Sequence, residues 1–252
     1  MNVQEKRRSA CRRPYSSQND ISSFGRPPAL AHKNSEGEAM RDLPVSARSV
    51  SFFAAILLIF GLMSPVTAQA MEFIDKGDEL YQRGHYEDAL AWWKEAAGSG
   101  SANAAYRLGV AHNDGLASDT RIIVQRDFTE AAKWYTMAAE LGDERAQFDL
   151  GSLYDNGQGV PKSAEQAAKW YLAGAERGQM ACQYNIATMY ETGVGVEKDL
   201  VAAYMWYYLA AQQDFIEFGG PALEGLASQM EPRQVREAIL MAKNFAFKEP
   251  VR

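Results

Sequence analysis

The chain has 252 residues, 47% of them hydrophobic, and its 26 Lys and Arg against 32 Asp and Glu give a formal net charge of −6. An acidic chain repels phosphate backbones, which argues against nucleic acid as a partner. Of the two cysteines only Cys182 lies beyond residue 70, so the mature chain predicted below has no internal disulfide.

Residues 40–70 contain the three parts of a signal peptide. Arg41 and Arg48 form a positive region, an uncharged apolar run covers residues 49–63, and Ala68-Gln69-Ala70 supplies a small-residue cleavage site. We predict cleavage near Ala70 and a mature protein secreted to the periplasm. Nine Lys and Arg and five Asp and Glu precede residue 71, which leaves 17 against 27 and a net charge of −10.

Residues 1–39 are rich in Ser, Arg, Pro and Asn without an apolar period, which is typical of a disordered segment. Because a signal peptide does not ordinarily begin so far before its apolar region, we predict Met40 as the biological start and residues 1–39 as an over-annotated extension. The alternative is an uncleaved membrane anchor with a cytoplasmic tail, and this segment would then be the only contact with a membrane. The apolar run is shorter than the roughly 20 residues that span a bilayer, which favours cleavage.

From Met71 the sequence alternates two kinds of amphipathic helix, and the second kind carries the phrase Ala-x-x-Trp-Tyr-x-x-(Ala/Gly)-Ala. The Trp-Tyr pairs begin at Trp134, Trp170 and Trp206, and an earlier degenerate copy has Trp92-Trp93. A fixed period of about 36 residues is the signature of a repeat architecture. The phrase places its residues on one face of a helix, so both the Trp and the Tyr are predicted in the interior, between helices.

The first helix of each pair has its own recurring set of small and apolar residues. Ala146, Leu150, Gly151 and Tyr154 recur 36 residues later as Cys182, Ile186, Ala187 and Tyr190, and 42 residues earlier as Ala104, Leu108, Gly109 and His112. Cys182 therefore fills a small-residue position and is predicted to be a buried, inert thiol. His112 fills a Tyr position and is predicted to be packed rather than catalytic.

Glycines and capping residues predict the helix ends. The loops Gly157-Gln158-Gly159-Val160 and Gly193-Val194-Gly195-Val196 begin with a Gly suited to a left-handed helix end, and their last Val is predicted to plug into the core. Asp127, Ser163 and Asp199 have the position and chemistry of N-caps.

These phrases together resemble the Sel1-like repeat, a relative of the tetratricopeptide repeat. Residues 145–178 match almost throughout, 103–142 and 181–214 match with departures, and 75–100 is shorter, lacks the Gly-x-Gly-Val loop and is closer to a tetratricopeptide repeat. The resemblance implies an all-α fold, namely a right-handed α-solenoid of about four helix-turn-helix repeats. The predicted parts are a tetratricopeptide-like first repeat at 71–100, three Sel1-like repeats at 101–214 and capping helices at 215–252.

One departure is a loop that is six residues longer than in the other copies, at residues 116–126. Its Ile122-Ile123-Val124 core is β-branched and apolar, unlike a solvated loop. One interpretation is an insertion that folds back onto the helices. The other is a contact point for a partner, and both stay open.

The second departure is the end of the repeat after Asp214. Leu223, Leu226, Ala227 and Met230 predict one further helix, and an apolar stripe after Pro232 predicts a last one. Such helices would cover the exposed end of a solenoid.

Motifs for catalysis and for metal binding are not found after residue 70. The sequence there lacks His-Glu-x-x-His, Cys-x-x-Cys and Gly-x-Ser-x-Gly, and its two histidines, His85 and His112, lie on different repeats. We therefore expect no enzyme activity, no catalytic residue, no metal and no cofactor.

Binding of another protein is the function that repeats of this kind favour. First helices usually line the binding groove of such a stack. Their groove positions, together with the long loop, give the candidate partner-binding residues Tyr106, Arg107, Phe148, Asp149, Tyr184, Asn185, Ile122, Ile123 and Val124. For the three aromatic residues among them, a packing ladder is an equally strong alternative.

The resemblance also implies a role, that of a non-enzymatic periplasmic adaptor or regulator. Some secreted alphaproteobacterial proteins with these repeats restrain a sensor kinase in exopolysaccharide regulation, by binding its periplasmic domain. Two alternatives stay open. One is a scaffold or accessory factor for cell-wall enzymes of peptidoglycan assembly, and the other is a secreted virulence factor that binds host proteins.

Overall fold

The computed structural model describes residues 65–119, 121–213 and 216–248, and these residues are mostly helical. The elements in chain order are α1 (Pro65–Gln82), α2 (Tyr86–Gly98), α3 (Ala102–Asp114), β1 (Leu116–Ala117), β2 (Ile122–Val124), α4 (Phe128–Glu140), α5 (Glu144–Asn156), α6 (Ala164–Ala175), α7 (Met180–Thr192), α8 (Leu200–Ala211), α9 (Ile216–Ala227) and α10 (Pro232–Lys243).

Successive helices pair into four helix-turn-helix repeats, α1 with α2, α3 with α4, α5 with α6 and α7 with α8. The second helix of each repeat also packs against the first helix of the next, and α9 and α10 both pack against α8. This arrangement confirms the predicted helical solenoid. The C-terminal helices bury Leu226 and Ala238 against the last repeat, as a solenoid cap should.

The predicted N-caps are formed. The side chains of Asp127, Ser163 and Asp199 each accept hydrogen bonds from backbone N–H groups two or three residues further on. Asp143 and Ser101 cap α5 and α3 in the same way. Each cap satisfies N–H groups that have no partner within the helix, which fixes where the helix begins.

The Gly-x-Gly-Val loops use both glycines. Gly157 and Gly193 end α5 and α7 with φ of +71° and +74°, as predicted. The second glycines, Gly159 and Gly195, also have positive φ, and a Cβ there would overlap the backbone at the start of the second helix of the preceding repeat. The loop therefore contacts the neighbouring repeat closely, which only Gly permits.

The aromatic pairs are buried unequally. Tyr135, Tyr171 and Tyr207 are at most 4% exposed, whereas Trp134 and Trp170 are half-buried. The predicted interior position therefore holds for the three tyrosines, whereas Trp134 and Trp170 pack against the core but stay partly exposed. Trp206 is 4% exposed because Phe245, after α10, packs on it with ring centroids 5.0 Å apart.

Small residues in the first helices make room for the buried aromatic rings. A Cβ at Gly151 would lie 2.7 Å from the ring of Tyr171, and one at Gly77 would lie 2.5 Å from Trp93. Trp93 thus occupies in the first repeat the place that Tyr takes in the others. This close approach of helix to ring explains the recurring small residue.

The predicted cleavage position near Ala70 lies within α1, and the extension and apolar run predicted at 1–39 and 49–63 lie outside the described residues. Among the helices that the structure describes, none combines the length and apolar character needed to cross a membrane.

Candidate protein-binding surfaces

The three candidate aromatic residues of the first helices each face the buried Tyr of their own repeat. The ring centroids are 5.8, 6.1 and 5.2 Å apart in the pairs Tyr106–Tyr135, Phe148–Tyr171 and Tyr184–Tyr207. Tyr184 is 9% exposed, while Tyr106 and Phe148 are half-buried. The structure thus shows a packing ladder in which parts of the Tyr106 and Phe148 rings stay accessible.

A charged cluster lies beside this ladder, where the first repeat meets the second. The guanidinium of Arg107 donates to Asp78 at 2.6 Å, and the indole N–H of Trp93 donates to the other carboxylate oxygen at 2.9 Å. Arg107 also lies over the Trp93 ring, 5.5 Å from its centroid. Its Nε is buried and has no hydrogen-bond partner among the described residues. Burial raises the pKa of Asp78, although Arg107 and Trp93 oppose the shift.

A second cluster lies one repeat further along. The guanidinium of Arg145 is 4.2 Å from the centroid of the Tyr106 ring and donates to Asp143 at 2.5 Å and to Asn103 at 3.0 Å. Asp143 also caps α5, so the cap holds the carboxylate that orients Arg145. The cation therefore has a fixed position above an aromatic ring at the protein surface.

Asp149 lies close to Tyr106 and Arg145 of this second cluster. Its pKa is raised to about 7, mainly because burial removes the carboxylate from water, and Asp114 and Asp143 add repulsion. A hydrogen bond from Tyr106 and the charge of Arg145 act in the opposite direction. The side chain therefore changes its charge near neutral pH.

Asn185 occupies the equivalent position in the last repeat and is half-buried. Close to it along α7, the Tyr207 hydroxyl donates to Glu191 at 2.8 Å and lies 2.9 Å from the Thr188 hydroxyl. We define the first-helix face by Asp78, Arg107, Arg145, Asp149 and Asn185. This face is polar and charged, and the rings of Trp93 and Tyr106 lie beneath its two arginines.

The long loop is a β-hairpin rather than an irregular loop. β1 and β2 are antiparallel, Leu116 pairs with Val124 and Ala117 with Ile122, and a bulge lies between the two pairs. Ile123 and Val124 are half-buried and fold back onto the helices, whereas Ile122 is 65% exposed. The structure therefore supports the folded-back interpretation for Ile123 and Val124, and contact of the exposed Ile122 with a partner stays a prediction.

A groove of about 700 Å³ lies where the hairpin meets α2 and the start of α4. Ile123 and Val124 line it together with Leu90, His112 and Phe128. His112 is half-buried, and burial lowers the pKa of its imidazole. Its backbone carbonyl accepts the N–H of Asp127 at 2.8 Å, just as that of Tyr154 accepts from Ser163 at 3.0 Å. This shared bond shows that His112 has the structural role of the Tyr position.

Cys182 is fully buried, as predicted, and burial raises the pKa of its thiol. In the part of the chain that the structure describes, no group of three or more His, Cys, Asp or Glu side chains is placed to hold a metal ion.

The repeat phrases, with the helix pairs now located, can be compared with known families. The Sel1 repeat model matches residues 77–101, 102–143, 144–179 and 181–215, more than half of the chain. The chain belongs to the Sel1 repeat family. The first of these matches covers the copy whose residues alone are closer to a tetratricopeptide repeat. Membership implies a role in protein–protein interaction.

Two solved structures of Sel1 repeat proteins are similar to this one. One is c5321, a protective antigen of uropathogenic Escherichia coli strains that displays an SLR fold, with 26% identity and a TM-score of 0.57. The match covers 79% of this chain but only 40% of that one. The other, a Sel1 repeat protein from Oxalobacter formigenes, has 30% identity and a TM-score of 0.51, and the match covers 72% of this chain and 73% of that one. No curated protein matches the chain.

The sequence patterns did not indicate Asp78, which accepts the hydrogen bond from Arg107, or the α2 residues Leu90 and Lys94, which line the groove beside the hairpin. Asp78 precedes the repeats that share a period, so no equivalent residue in another copy points to it. Leu90 and Lys94 look like ordinary positions of an amphipathic helix. The available signal was the β-branched run at 122–124, which favours a strand, preceded by Ser118 and Asp119, residue types that are common in turns.

Proposed function

We propose that this Sel1 repeat protein is a non-enzymatic adaptor that holds a protein partner on its first-helix face in the bacterial periplasm. The observation that carries the proposal is the pair of oriented arginines, Arg107 and Arg145, which are partly exposed and lie over the rings of Trp93 and Tyr106. The solenoid core beneath them is built mainly from apolar and small residues. Arginine and aromatic side chains held in this way are the groups that most often anchor protein partners.

Site-specific crosslinking in living cells tests this surface. Phe148 is replaced by the photoreactive analogue benzoylphenylalanine, which conserves the aromatic ring and lies among the groups of the first-helix face. The control carries the same analogue at Met137, which is 39% exposed on the second helix α4. We expect a light-dependent adduct with a protein at position 148 and none at 137. Equal adducts at both positions, or none at either, would contradict the assignment of this face.

The identity of the crosslinked protein separates the finer versions of the proposal. Capture of a sensor kinase through its periplasmic domain supports a regulator, and capture of a peptidoglycan enzyme supports a cell-wall scaffold. A third possible partner is a host protein, which the similarity to an E. coli protective antigen supports. A crosslink to a host protein in an infection model, with no bacterial partner, would support that version.

The proposed location rests on the signal-peptide pattern and needs its own test. N-terminal sequencing of the protein from a periplasmic extract should begin at or near Met71, directly after the predicted cleavage site. A mature chain that retains residues 49–63 and sediments with membranes would instead support the anchored alternative.

A further inference from the structure

The groove beside the hairpin has a different chemistry from the first-helix face. Its apolar part is formed by Leu90 of α2, Val124 of β2 and Phe128 of α4. Its volume of about 700 Å³ falls in the range of sites that hold a ligand or a short peptide segment. The insertion that creates β2 occurs only in this repeat, so the groove is a local addition to the solenoid.

Two cations and one carboxylate, that of Asp127, line the groove, although the chain as a whole is acidic. Lys94 and Arg126 line it, and in the part of the chain that is described neither has a carboxylate within 4.0 Å. Arg126 donates to the backbone carbonyl of Asp114 at 3.3 Å. The carboxylates nearby are held by hydrogen bonds or by an ion pair. Asp127 accepts the N–H groups of Thr129 and Glu130 at 2.9 and 3.1 Å, and the Glu130 carboxylate pairs with Lys133 at 2.8 Å.

Within the described part of the chain, one edge of strand β2 is unpaired. β2 pairs with β1 along one side only, and no other strand among the described residues covers its second side. An unpaired strand edge presents backbone N–H and C=O groups that an extended peptide can use. Ile122 in this strand is 65% exposed, and Arg121 pairs with Glu87, which ties the hairpin to the start of α2.

We propose that the hairpin groove binds an extended acidic segment of a partner protein, which adds as a strand to β2. Its apolar side chains enter the groove between Leu90, Val124 and Phe128, and its carboxylates meet Lys94 and Arg126. This occupant follows from charge complementarity, since a basic segment would meet two cations that have no carboxylate partner among the described residues. The inference does not depend on the first-helix face, because the two surfaces share no residue.

Fluorescence polarisation with the full chain tests the proposal. The probe is a labelled peptide Asp-Val-Asp-Val-Asp-Val, and the matched control peptide is Lys-Val-Lys-Val-Lys-Val. We expect the acidic peptide to bind at least tenfold more tightly, with an affinity that falls as salt is raised. Equal affinities of the two peptides, or no binding of the acidic one up to about 1 mM, would overturn the proposal.

Reversing the two positive charges of the groove tests whether the acidic peptide binds there. The double variant Lys94→Glu and Arg126→Glu should weaken the acidic peptide at least tenfold, because both side chains are exposed and line the groove. Lys169→Glu, an exposed lysine on α6, is the matched control and should leave the affinity unchanged. Unchanged binding by the double variant, with native circular dichroism, would overturn the site.

Pairing of the peptide backbone with β2 can be tested separately from charge recognition. N-methylation of the peptide's central Val removes one backbone donor and should weaken binding at least tenfold, without changing the peptide's charge. An N-methylated peptide that binds as well as the parent would overturn pairing with β2.

Discussion

Arg107 in α3 donates to Asp78 in α1 at 2.6 Å, so a partly buried ion pair joins the first helices of two successive repeats. The two side chains are 27% and 28% exposed. Trp93 completes the cluster, since its indole N–H binds the same carboxylate and its ring lies under the guanidinium. One carboxylate thus holds together three elements, α1, α2 and α3.

A double-mutant cycle on this pair should reveal coupling between the two repeats. We expect Asp78→Asn and Arg107→Met to show a coupling free energy of about 1–2 kcal/mol in urea unfolding, between the values of exposed and fully buried pairs. The exposed pair Lys133–Glu130, at 2.8 Å within α4, is the control and should couple by less than about 0.5 kcal/mol. Similar coupling in both pairs would show that burial adds nothing at Asp78.

The difference between Trp134 and Tyr135 predicts unequal costs of truncation. Tyr135→Ala removes a ring that is 2% exposed and leaves a cavity beside Gly109, so it should cost about 3–5 kcal/mol. Trp134→Ala removes a half-buried ring, and its loss should be about 1–3 kcal/mol. The free energies of unfolding in urea measure both, and a larger loss for Trp134 would contradict the burial seen here.

The repeat phrases could predict the helices, their caps and the glycine turns because these depend on residues close in sequence and on a fixed register. They could not rank Trp134 against Tyr135, since positions i+3 and i+4 lie on the same helical stripe and the neighbouring helix decides which is covered. The Asp78–Arg107 pair spans 29 residues, a spacing that no other copy repeats. The hairpin lies in an insertion found in one repeat, so its strand pairing had no equivalent to guide it.

Gly151 should resist substitution because the Tyr171 ring lies against it. Gly151→Ala places a methyl group 2.7 Å from ring carbons, and the resulting overpacking should cost about 1–3 kcal/mol. Gly225 is the matched control, since it also lies in a helix but has nothing within 4 Å of the added Cβ. Gly225→Ala should stabilise the chain by about 0.5–1 kcal/mol, and thermal unfolding of the two variants should shift in opposite directions.

Asp149 should make stability fall as pH rises from about 4 to about 7. Its pKa in the folded chain is about 7, against an ordinary value of 3.8, because burial disfavours the charged carboxylate. Well below pH 3.8 the side chain is protonated in both states, and its ionisation does not affect stability. Between pH 4 and pH 7 the unfolded chain loses its proton first, so the folded state becomes progressively less stable, and above pH 7 the cost is constant.

Asp149→Asn removes this titration while keeping a polar side chain of similar size. At pH 8 the variant should be more stable than the natural chain by roughly 2–4 kcal/mol, and at pH 4 the two should be nearly equal. Urea unfolding at both pH values measures the difference, with Asp155→Asn, exposed at the end of the same helix, as control. If the variant's advantage were the same at pH 4 and pH 8, the effect would come from packing, and the raised pKa of Asp149 would be contradicted.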